Sequence, residues 1–174
     1  MSLFNRKSIP IWIGLFVLIA DFASKCYTHA YLPIIRFYTH SYPYGGIGVF
    51  KDFFGIEFSI SHQINHGAAW GILAEYQVPL LYFRIGLIAC LVVYALFINQ
   101  NHRWSLPLAL IIAGAVGNVI DYFVYGHVVD MIHFVLWGYD FPVFNIADSA
   151  ISIGIFLLLA LSLFQKNSHS KRAR

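Results

Sequence analysis

The chain has 174 residues, 59% of them hydrophobic and only 11% charged, with a mean hydropathy of +0.69. A soluble domain carries about 25% charged residues, so a water-soluble enzyme is excluded and a one-domain integral membrane protein is expected. The net charge is +3 with the positive residues gathered near the termini, and no basic patch with interleaved aromatics exists to hold nucleic acid.

The expected fold is mostly α, with four transmembrane helices over about 9–27, 78–98, 106–121 and 144–164. A basic tail over 165–174 reads as unstructured. Segment one follows Arg6 and Lys7 and resembles a secretory leader. Asp21 and Lys25 interrupt the end of its apolar run, and no small-residue cleavage box follows, so a retained helix is expected. Asp21, Ser24 and Lys25 stand at i, i+3 and i+4 and share one helix face. Cys26 and Cys90 form no CxxC pair and read as two unpaired thiols.

Residues 28–77 do not span. Pro33, Pro43, Gly45, Gly46 and Gly48 are turn signals. The run IEFSISHQIN alternates well enough for a strand. A small β-rich extracytoplasmic element between helices one and two is therefore expected. Asn65 then opens a run of small residues, Gly67, Ala68, Ala69 and Gly71, that permits close backbone approach.

Segment two, over 78–98, is long enough for about 30 Å of hydrocarbon. It carries Arg84 near its start, which should snorkel or face the bundle. In segment three Gly114, Gly117, Asn118 and Asp121 form one small and polar stripe. Helix packing explains the glycines. Lipid satisfies neither Asn118 nor Asp121. Four of the chain's eight acidic residues, Asp121, Asp130, Asp140 and Asp148, lie between segment three and the start of segment four, where Asn145 and Asp148 share a face.

Arg6, Lys7, Arg103, Lys166, Lys171, Arg172 and Arg174 all fall on one side of a four-span topology. By the positive-inside rule that side is cytoplasmic, with both termini. Every polar cluster then lies at the outer ends of the helices. Two carboxylates brought together share one proton, so that one acts as base and the other as acid toward water. Asp130 and Asp148 are the pair best placed for this. A proton relay using the same aspartates is the alternative from another class. It would need acidic, basic or histidine side chains in the inner halves of the segments, and they contain none of these. An inactive membrane scaffold is a third reading. Histidine pairs such as His62 and His66, or His127 and His133 beside Asp130, raise a metal alternative. No HExxH is present, and i, i+4 residues on a strand stand about 13 Å apart. Interfacial histidines and no metal are expected.

At these residues the sequence resembles the lipoprotein signal peptidases, the type II signal peptidases of bacteria. Four motifs carry the resemblance in order. The first is Asp21 with Ser24-Lys25, and the second is Asn65-His66-Gly67-Ala68-Ala69-Trp70-Gly71. The third is Gly114, Gly117, Asn118 and Asp121 leading to Gly126, Val128, Val129 and Asp130. The last is Phe141, Phe144, Asn145, Ala147 and Asp148. The resemblance implies an aspartic endopeptidase with Asp130 and Asp148 as its dyad. It assigns supporting or substrate-binding roles to Asp21, Lys25, Asn65, Gly67, Asn118, Asp121 and Asn145. It implies a diacylglyceryl-modified prolipoprotein substrate, cut just before the lipidated cysteine at the outer face of the bacterial inner membrane. Membrane lipid is the surrounding partner, no cofactor is needed, and a monomer is expected. The family usually carries arginine directly after the third-helix aspartate. Here that residue is Tyr122, so Asp121 needs another partner, and Arg84 and Lys25 are the candidates.

Overall fold

The computed structural model of the chain describes residues 8–35, 41–66 and 76–172. Helix α1 spans Ile9–Tyr31, one turn beyond the expected end. Nothing breaks it before Pro33, which forces the preceding Leu32 into an extended conformation (φ −106°, ψ 136°). Helix α2 spans Gln77–Val93 and widens into a π-helical turn over Tyr94–Ile98. Helix α3 spans Ser105–Tyr125 and stops at Gly126, whose φ of 76° is the left-handed cap that a Cβ disfavours. Asp121 therefore sits one turn inside α3 rather than at its end. Helix α4 spans Ile146–Arg172, so the tail expected to be unstructured continues the helix. The tail 165–174 holds neither proline nor glycine to stop propagation.

All four helices are long and apolar enough to cross a membrane. Helix α3 is the central one, burying Leu108, Leu110, Ile111 and Ala113. Phe16 on α1, Phe83 on α2 and Phe156 on α4 stay exposed, as lipid-facing residues do. Gly114 lies against the Ala147 carbonyl and Gly154 against that of Pro107. These glycines let α3 and α4 meet at backbone contact, which is the packing role expected of Gly114.

One antiparallel sheet completes the fold, in the order β1 (Ile47–Phe53), β2 (Ile56–Asn65), β3 (Val128–Leu136), β4 (Tyr139–Asp140). The sheet expected from the α1–α2 connection alone thus draws half its strands from the α3–α4 connection. The run VVDMIHFVL is buried on both faces along most of its length, so it lacks the apolar–polar alternation that marks a half-buried strand. Phe54-Gly55 and Trp137-Gly138 turn the two hairpins with positive φ at both positions, as two-residue turns of this hand require. In the β2–β3 register Gln63 faces Asp130 and Asn65 faces Val128. Asp130 is thereby fixed on an inner strand and not on a loop.

Candidate active site

Asp148 enters the site through the start of α4. Asn145 precedes the helix, and its Oδ1 accepts the Asp148 backbone N–H at 2.8 Å. The Asp148 carboxylate accepts the Asn145 backbone N–H at 3.3 Å in return. This is a reciprocal capping box, with Asp148 at the third helical position. It satisfies two orphan donors and locks the Asp148 rotamer. The Asn-x-x-Asp spacing ahead of an apolar run was the sequence signal for it.

Asp130 comes from β3 and is 3% exposed. Its Oδ1 accepts from Asn145 Nδ2 at 2.7 Å and its Oδ2 from Asn65 Nδ2 at 3.0 Å. Asn145 thus touches both carboxylates, through its side chain to Asp130 and its backbone to Asp148. Burial and the neighbouring Asp148 charge raise the Asp130 pKa to about 7 from an ordinary 3.8. The Asn65 and Asn145 hydrogen bonds and the Lys25 charge pull against that rise.

Asn118 of α3 connects this pair to a buried cation. Lys25 Nζ donates to Asn118 Oδ1 at 2.9 Å, and Asn118 Nδ2 donates to Asp148 Oδ1 at 2.8 Å. An ammonium can only donate, so Lys25 sets which way the Asn118 amide points. Lys25 is fully buried, and its Nζ also stands 2.7 Å from Asp21 and 2.8 Å from Asp121. Lys25, one of the two expected candidates, is therefore the cation that pairs with Asp121. Arg84 instead lines the cavity described below. Each outlying carboxylate also fixes backbone: Asp121 accepts the Val129 N–H at 3.1 Å and Asp21 the Ala147 N–H at 2.8 Å. One network so holds β3 beside Asp130 and the first turn of α4 beside Asp148. Gly117 is needed here for room, because a Cβ would stand 2.7 Å from the Asp21 carboxylate.

The eight residues Asp21, Lys25, Asn65, Asn118, Asp121, Asp130, Asn145 and Asp148 are joined in this one network. Gly67 and the small-residue run after it lie outside the described residues. Ser24 is not drawn in, since its hydroxyl donates to the Asp21 carbonyl of its own helix. Asp140 is half exposed and meets His133 at 2.7 Å, so neither joins Asp130. A cavity of about 570 Å³ opens at the network, lined by Asn65, Arg84, Asn118, Phe141, Phe144 and Asp148 among others. That volume lies within the range of ligand-binding clefts. Phe141 and Phe144 belong to the motif that ends at Asp148, whereas no side-chain pattern marks the donor role of the Val129 and Ala147 backbone N–H groups.

The profile of the signal peptidase (SPase) II family matches residues 13–164. A lipoprotein signal peptidase of Chlamydia trachomatis serovar L2b is 35% identical over 169 residues, covering 93% of this chain and 96% of the relative. One from Burkholderia multivorans is 39% identical over 154 residues, covering 85% and 84%. A bacterial membrane enzyme solved by the in meso method at 2.3 Å resolution superposes with a TM-score of 0.75 at 33% identity, over 92% of this chain and 90% of that one. With the profile spanning all four apolar helices and relatives matched nearly end to end, the chain belongs to the signal peptidase II family.

Proposed function

We propose that this protein is an aspartic endopeptidase that removes the signal peptide from diacylglyceryl-modified prolipoproteins, cutting just before the lipidated cysteine. The observation that carries the reading is the coupling of Asp130 and Asp148 through Asn145, with Asp148 itself, Asn65 and Asn118 lining the cavity. Burial and the neighbouring Asp148 charge raise the Asp130 carboxyl to about 7, so the pair holds one shared proton near neutral pH.

The ionised member of the pair takes a proton from water as the water oxygen attacks the scissile carbonyl. The protonated member gives its proton to the carbonyl oxygen, forming the tetrahedral diol. Collapse returns a proton to the leaving nitrogen and restores the pair. The two carboxyls are read as one titrating unit. Lys25, Asp21 and Asp121 serve as positioning residues, and Asn118 and Asn145 orient the carboxyls. The basic residues at the termini and at the α2–α3 turn favour cytoplasmic termini, with the site facing outward. Prolipoprotein then lies along the bilayer with its acyl chains in lipid, and a single copy of the chain suffices.

The test is cleavage of a diacylglyceryl-modified prolipoprotein in lipid or detergent, followed as a size shift. Wild type should cut, and folded Asp130→Asn and Asp148→Asn should not. Near-normal cleavage by either variant refutes the dyad. A folded wild type that never cuts the lipidated substrate refutes the whole reading.

A further inference from the structure

Three histidines far apart in sequence converge outside the aspartate network. His29 lies in the last turn of α1, His62 on β2 and His127 between the Gly126 cap and β3. One ring nitrogen from each lies within 4.8 Å of the other two. The site forms where the β2–β3 register slips between Ile60 and Gln63.

The protonation of His62 follows from its partner. Its Nδ1 is 2.9 Å from the Leu32 carbonyl, which only accepts, so Nδ1 carries the proton. In the neutral tautomer with that proton, Nε2 presents the lone pair. His62 is 2% exposed, and its Nε2 is buried with no hydrogen-bond partner among the described residues. His127 repeats the pattern: it hydrogen-bonds the Tyr125 backbone, and its Nε2 is likewise buried without a partner among the described residues. An unsatisfied buried nitrogen is costly, and two in one histidine cluster need a common explanation. A ring held by N–H to a carbonyl with its other nitrogen free is the arrangement of a metal-ligating histidine.

We propose that His29, His62 and His127 form a binding site for a borderline transition-metal cation, with Zn²⁺ the best fit. Three neutral imidazoles suit zinc and not magnesium or calcium, which take oxygen ligands. Tetrahedral zinc with bonds of about 2.0–2.1 Å sets its nitrogens about 3.3 Å apart. The present spacing of up to 4.8 Å must therefore contract by small side-chain shifts on binding. A fourth position remains for water or for His66, whose ring centre is 5.7 Å from that of His127. The bound ion ties the end of α1 and β2 to the start of β3, the strand that carries Asp130.

The test uses full-length protein in detergent, purified on a tag without histidine and stripped with chelator. Cobalt is titrated first, since tetrahedral Co²⁺ gives a strong visible ligand-field band. Wild type should show that band at one ion per chain, Zn²⁺ should displace it, and excess Zn²⁺ should raise the Tm by mass action. His29→Ala, at an exposed position, and His127→Ala should each weaken binding by at least about 100-fold, beyond the loss of an outer-shell partner. His102→Ala, in the α2–α3 turn, should bind as wild type. No tetrahedral band at stoichiometric cobalt overturns the proposal. So does a band, or a zinc-induced rise in Tm, that survives unchanged in either cluster variant.

Discussion

Replacing Asp130 by asparagine should flatten the pH dependence of stability. The Asp130 carboxyl sits at about 7 in the folded protein against an ordinary 3.8. The folded state therefore holds a proton that the unfolded chain releases between those values. This contribution to stability is fully present below 3.8 and is lost as pH rises through 7. At about 1.4 kcal/mol per unit the full loss is about 4 kcal/mol. Between pH 5 and pH 8 only the part up to 7 is crossed, which leaves about 3 kcal/mol. The amide of the Asp130→Asn variant cannot ionise, so that part of the slope should vanish, although one hydrogen bond from Asn65 or Asn145 must rearrange. The assay is denaturation of both proteins in the same detergent at pH 5, 6, 7 and 8, comparing how much each loses. Parallel losses would refute the reasoning, because they would place the Asp130 carboxyl near its ordinary range and remove the shared proton.

Other consequences follow from the same network. Cleavage by wild type should fall as pH rises above about 7, because the doubly ionised pair has no acid left; a rate still climbing at pH 9 would contradict this. Lys25→Met leaves Asp21 and Asp121 buried without their cation and should cost about 3–5 kcal/mol, read as a lower unfolding midpoint. Adding Asp121→Asn to Lys25→Met should recover part of that loss. Gly117→Ala pushes a methyl onto the Asp21 carboxylate and should destabilise by about 1–3 kcal/mol while lowering cleavage. Asn145→Ser should keep most of the helix cap, within about 1 kcal/mol, yet cut activity sharply because the contact to Asp130 is gone; equal activity would deny Asn145 an orienting role.

Local chemistry made much of this protein legible from its sequence. Apolar runs of bilayer length show where four helices lie, because lipid tolerates nothing else with an unpaired backbone. The rarity of charge made Asp21, Lys25, Asp121, Asp130 and Asp148 conspicuous, and amides in apolar segments did the same for Asn118 and Asn145, since each needs a partner in an apolar surround. Which partner each has was decided only by the tertiary structure. Nothing local says that Lys25 serves both Asp21 and Asp121, or that Asn118 turns its amide toward Asp148, because those contacts join α1, α3 and α4. Strand β3 is hard to read for a related reason: burial on both faces erases the alternation that marks a strand. The meeting of His29, His62 and His127 is further still from local pattern. Sequence spacing constrains neighbours along one helix or strand, whereas the approach of three separate elements is set by how the whole chain packs.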